Sequence, residues 1–85
     1  MNPIRTEYSN VTYVAEGCRD LPATVLKNSE TGQDEVETVW ELTDEEIEQI
    51  RKSRRIYLYI MGRAVPPVLL TSESFAPALQ SLSSL

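Results

Sequence analysis

Leu42-Thr43-Asp44-Glu45-Glu46-Ile47-Glu48-Gln49-Ile50-Arg51-Lys52-Ser53, followed closely by Arg55-Ile56-Tyr57-Leu58-Tyr59-Ile60-Met61, is the stretch on which the fold turns. Thr43 followed three residues later by Glu46 is a capping box, in which each side chain satisfies the other residue's backbone amide. Asp44, Glu45 and Glu46 face the positive end of the helix dipole, and Arg51 and Lys52 lie near its negative end. Ile47 and Ile50 share one face, Leu42 is placed to staple onto Ile47, and the helix is expected to stop near Ser53. The period then changes to two. Ile56, Leu58 and Ile60 alternate with Arg55, Tyr57, Tyr59 and Met61, which predicts a strand over 55–61.

Upstream, Asn10 to Glu16 alternates as a strand, Gly17 to Pro22 reads as a loop, and Ala23 to Lys27 reads as a second strand forming a hairpin with the first. Asn28 to Asp34 is a polar turn containing Gly32, and Glu35 to Leu42 is a third strand with one wet and one dry face. Downstream, Gly62 to Pro67 is a stiff turn, and Val68 to Thr71 returns as a last strand. Phe75, Leu79 and Leu82 have helical spacing, provided Pro77 falls in the first turn.

The expected fold is α+β, a small and mainly antiparallel sheet in the order β-β-β-α-β-β with one short helix packed on it. Residues 1–71 form a single domain and 72–85 a C-terminal tail, helical and at an interface. The expected core is Val11, Val25, Val39, Trp40, Leu42, Ile47, Ile50, Ile56, Leu58, Ile60, Val68 and Leu70. That is a thin core for 85 residues, since a chain this short buries only about 60% of its unfolded surface. A homo-oligomer is therefore expected, with the tail's apolar stripe contributing to the interface.

Composition removes most enzyme chemistry. The chain has no histidine and one cysteine, Cys18, so His/Cys sites for zinc, haem or iron–sulfur and the Ser-His and Cys-His nucleophile pairs are excluded. No catalytic residue, metal or cofactor is expected. Cys18 beside Arg19 reads as an ordinary thiol. A net charge of −5 disfavours a duplex nucleic-acid binder. No window approaches the ~20 apolar residues of a membrane span, and the N-terminus lacks a signal pattern, so no membrane and a cytoplasmic location are expected.

The charge is nonetheless bipolar. Nine of the thirteen acids lie between Glu30 and Glu48, and five of the eight bases between Arg51 and Arg63. In the basic block, Arg51, Arg54, Arg55 and Arg63 suit bidentate contacts to phosphate, and Tyr57, Tyr59 or Trp40 offers a plane for a nucleobase. The plainer reading of these residues is strand packing for the tyrosines and dipole complement for the bases. For the acidic block, mimicry of a polyanion stands beside the plainer reading of helix start and wet strand face.

Val39 to Ile50, then Arg55 to Gly62, then Pro66-Pro67-Val68 together resemble a pattern of small accessory proteins of tailed bacteriophages. Those proteins share a "W-x-L/P-T-x-E-E-(I/L)" helix start, a strand ending in Gly and a "P-P-V" return. The likeness covers about the middle third of the chain and its motifs are structural. It implies a viral protein acting in the cytoplasm of an infected bacterium, of a kind often antagonistic to host defence, and it brings no catalytic residues. The expected function is therefore non-enzymatic: a sponge that sequesters a small phosphate-bearing nucleotide signal. The alternatives are an inhibitor that binds a host defence protein through the acidic face, or a small virion or assembly component.

Overall fold

The computed structural model describes residues 1–77. Thr43 holds extended backbone (φ −78°, ψ 164°) directly before helix α1, Asp44–Ser53. The Glu46 amide donates to Thr43 Oγ1 at 3.2 Å, and the Thr43 amide donates to Glu46 Oε1 at 2.9 Å, so both arms of the expected capping box are made. The helix ends where Arg54 turns left-handed (φ 57°) and donates its amide to the Ile50 carbonyl at 2.6 Å.

Five strands precede this helix: β1 Asn2–Ile4, β2 Val11–Tyr13, β3 Leu21–Lys27, β4 Asp34–Glu37 and β5 Val39–Glu41. All pair antiparallel, in a three-stranded sheet β2-β3-β4 and a two-stranded sheet β1-β5. The class is α+β, as the sequence pattern implies.

The expected β2–β3 hairpin forms, and β3 pairs in turn with β4. The β3–β4 turn is held by Asn28, whose Oδ1 accepts from the amides of Glu30 and Thr31 at 2.9 and 3.2 Å. Gly32 supplies the positive φ of 73° that the turn requires. Where β2 begins, the Asn10 side chain imitates a strand residue. Its Nδ2 donates to the Val25 carbonyl at 3.0 Å and its Oδ1 accepts from the Val25 amide at 2.8 Å.

The third expected strand, 35–42, is instead split at Thr38, and Pro22 supplies the reason. The Asn28–Gln33 bond sets the ladder phase, so the amides of Leu26 and Thr24 point at β4. The next amide in step belongs to position 22, and proline has none. The ladder therefore stops at Thr24–Glu37, and the chain leaves to pair β5 with β1, a strand that periodicity did not reveal.

The two strands expected after the helix, over 55–61 and 68–71, lie in no ladder among the described residues. β-propensity measures the fit of a residue to a neighbouring strand, and a lone two-stranded hairpin is marginal in water. Pro66 and Pro67 remove two successive donors just where the return strand would start. The helix is not packed as expected either, since α1 buries none of its residues.

Burial falls on other residues than the large apolar ones. Ala23, Thr24 and Ala76 are the buried residues among those described, whereas Val25, Val36, Trp40, Ile47, Ile56, Leu58, Val68 and Leu70 are exposed. Val11, Val39, Leu42, Ile50 and Ile60 are half-buried. The Ser74 hydroxyl donates to Glu37 Oε2 at 2.7 Å and ties the Ala76 segment to the end of β4. Ala76 and Pro77 begin a helical turn, while Leu79 and Leu82 lie outside the described residues.

The cap gives a direct test of this frame. Thr43→Ala should cost about 1 kcal/mol, Glu46→Ala part of the same energy, and the double variant less than their sum. Denaturant titration of the four proteins reads the coupling, and additive losses would remove the reciprocal cap.

Candidate functional site

The helix exit forms an open cleft of ≈ 230 Å³ lined by Met1, Glu46, Gln49, Ile50, Ser53, Arg55, Ile56 and Tyr57. Three local facts assemble it. The left-handed Arg54 redirects the chain so that Arg55, Ile56 and Tyr57 fold back beside the helix, and the Arg55 amide is fixed by Ser53 Oγ at 3.2 Å. The third is the β1–β5 register. Asn2 lies opposite Glu41, so Met1 comes alongside the chain as it approaches the cap. The Met1 amine ion-pairs with Glu46 Oε2, while Oε1 of the same carboxylate holds the Thr43 amide.

Glu46 is thus fully used. The amine of Met1 and then the backbone hydrogen bond at Thr43 hold its carboxyl below the ordinary value. Such a depressed carboxyl contributes stability that is present above the unfolded-state pKa and is lost as pH falls through the lower folded value. The stability difference between the native chain and Glu46→Gln should accordingly be constant near neutral pH. It should close on acidification below about pH 4.3, the usual glutamate pKa. Thermal melts at successive pH values measure that difference, and a gap that widens in acid would contradict the assignment.

Of the seven residues expected at a ligand site, the cleft joins Arg55 and Tyr57. The Arg55 guanidinium has no ion-pair partner among the described residues. Arg51 is spent elsewhere: it grips Glu48 in a two-pronged contact at 2.6 and 3.1 Å, which raises its pKa above the ordinary arginine value. Arg54 serves as the helix C-cap, and its left-handed backbone is one that glycine holds at lower cost. Tyr59 is 80% exposed and does not line the cleft. Arg63 follows the positive-φ Gly62 in an exposed bend, also outside the lining. Trp40 sits on β5 with its Nε1 donating to Thr38 Oγ1 at 2.9 Å. Met1 and Glu46 were not legible as site residues, because their meeting depends on the β1–β5 register.

No protein-family model matches this chain, and neither the curated proteins nor the solved structures contain a match.

Chemically, the cleft is a small, open concavity. Its one unpaired charge is a guanidinium, its one aromatic face is Tyr57, and its carboxylate is neutralised by an amine. Among the described residues no cluster of three His, Cys, Asp or Glu side chains is placed to hold a metal ion, and no helix is long and apolar enough to cross a membrane. Part of the acidic block is engaged within the chain. Asp34 pairs with Lys27, Glu35 accepts from Asn28, Glu37 from Ser74, and Glu48 from Arg51.

Proposed function

We propose that the protein is a non-enzymatic binding protein that sequesters a small phosphate-bearing nucleotide, with Arg55 gripping phosphate and Tyr57 receiving the base. The observation that carries this reading is the convergence, in one open cleft, of an arginine without an ion-pair partner and an exposed tyrosine ring. A guanidinium fork matches phosphate geometry, and a tyrosine ring stacks on any base. The cleft lies below the ~300–1,000 Å³ of usual ligand pockets, so it takes a phosphate and its sugar while the base lies outward along Tyr57. The likeness of Val39–Ile50, Arg55–Gly62 and Pro66–Val68 to phage accessory proteins supports a role in an infected bacterial cytoplasm as an antagonist of host defence.

Calorimetry with a panel of linear and cyclic nucleotides tests the reading. Saturable binding that weakens with added salt supports it, and absence of heat across the panel at millimolar ligand would sink it. Inhibition of a host protein through the acidic face is the second reading. It is less favoured because the contacts within the chain already engage part of that face.

A further inference from the structure

Ile56-Tyr57-Leu58-Tyr59-Ile60 reads the same in both directions. Pairing two antiparallel strands reverses one of them, so a palindromic strand laid on its own copy sets like against like. About a two-fold axis at Leu58, Ile56 faces Ile60, Tyr57 faces Tyr59 and Leu58 faces Leu58. One side of such a ribbon carries only Ile and Leu, and the other carries cross-strand tyrosine pairs, a favourable combination on a pleated surface. The flanks agree with this direction. Arg55 then lies opposite Met61 and Arg54 opposite Gly62, whereas a parallel in-register pair would set each arginine against itself.

This segment is unpartnered in the single chain. Among the described residues the backbone amides and carbonyls of 56–61 make no hydrogen bond, and Ile56, Tyr57, Leu58, Tyr59 and Met61 are all exposed. The chain as a whole is more exposed than a folded monomer of its mass. The chain exposes 7535 Å², whereas a folded monomer of 9.6 kDa exposes about 5,100 Å². Residues 78–85, even if counted as fully exposed, supply at most about 1,300 Å² of the difference. About 1,100 Å² of excess exposure remains, spread over the chain and including the apolar side chains of 56–61.

We propose that residues 55–61 are an intermolecular strand through which two copies of this chain pair antiparallel about Leu58. The occupant of the exposed segment is a second copy, and the product is a closed two-fold dimer. The pairing also sets the partner's Tyr59 across from Tyr57, on the face that carries Arg55. A tyrosine outside the cleft in one chain is thereby delivered to the other's site. That last step rests on the proposed nucleotide site, while the pairing itself does not.

Light scattering on the full chain should give twice 9.6 kDa at tens of micromolar protein. Leu58→Lys sets two ammonium groups against each other at the axis and should return the monomer mass. Its far-ultraviolet spectrum should keep the signal of α1 and of the two sheets within the chain and lose only the strand signal of the intermolecular ribbon. In a Cys18→Ala background, Leu58→Cys should form a disulfide-linked dimer on mild oxidation, because its Cα lies opposite its own copy within disulfide reach. Tyr57→Cys alone should not, and Tyr57→Cys combined with Tyr59→Cys should. A monomeric native chain, a mass rising past the dimer without limit, a dimeric Leu58→Lys variant, or Tyr57→Cys cross-linking as readily as Leu58→Cys would each overturn the pairing. Nucleotide titration of the same samples separates the two proposals, since a native chain that is monomeric and still binds nucleotide overturns the dimer alone, and a native dimer that binds none overturns the nucleotide site alone.

Discussion

Replacing Arg55 with alanine should weaken retention of a phosphate-bearing nucleotide by about ten- to a hundredfold, the equivalent of about 1.5–3 kcal/mol for a lost charge-assisted hydrogen bond. Arg51→Ala should leave affinity within about twofold, although composition places both arginines in one basic block. The difference comes from their partners. Arg51 is neutralised by the Glu48 carboxylate at 2.6 Å, whereas Arg55 lines the cleft with no carboxylate of its own. Arg55→Lys should recover part of the binding, since an ammonium retains the charge and lacks the planar fork. Titration calorimetry on the three variants, with light scattering to confirm an unchanged mass, reads the result. Equal losses for Arg51→Ala and Arg55→Ala would mean that the block acts by its field and that the cleft is not the site. Loss of phage protection on neutralising Glu37 and Glu41, with Arg55 dispensable, would replace the sponge by the protein-binding reading.

The parts of this fold legible in the sequence are those whose cause is local. Thr43 and Glu46 are three residues apart and need nothing else in the chain to make their two bonds, so the helix start was readable to the residue. The Asn28–Gly32 turn is similar, since a side-chain oxygen and a positive φ settle it within five positions. Register is not local. β1 has three residues and no alternation to announce it, and its pairing with β5 is what brings Met1 to Glu46. Pro22 could have warned that 35–42 would not run as one strand, but only with the phase of the Asn28–Gln33 bond known. The segment with the strongest strand pattern, 55–61, finds no neighbour among the described residues. Its alternation reports a surface suited to a strand, and the sequence does not say on which molecule the strand lies. Arg55 and Tyr57, two residues apart, both line the cleft at the helix exit. Tyr59, Arg63 and Trp40 were placed with them by chemistry alone, and the chain path separates them.

Ala23→Leu should destabilise the protein by about 1–3 kcal/mol, whereas Val36→Thr should change stability by less than about 0.5 kcal/mol. Hydrophobicity alone argues the reverse, because it enlarges the apolar content in the first case and reduces it in the second. Burial decides the matter. Ala23 is 2% exposed at the point where β3 passes from pairing with β2 to pairing with β4. The added branched side chain there has no space to fill, so it must displace backbone or take an unfavourable rotamer. Val36 is 54% exposed on β4, opposite Val25, and its methyl groups already meet water. Threonine keeps the β-branch that suits the strand and adds a hydroxyl that solvent can satisfy. Ala76, also 2% exposed, is the natural control: Ala76→Leu should be penalised like Ala23→Leu, because a core of small side chains is intolerant wherever it is enlarged. Urea unfolding monitored by Trp40 fluorescence measures all three. A stabilised Ala23→Leu together with a Val36→Thr variant weakened by more than 1 kcal/mol would move the core along the face that Ala23, Val25 and Val36 share, from the β2–β3 end to the β3–β4 pair.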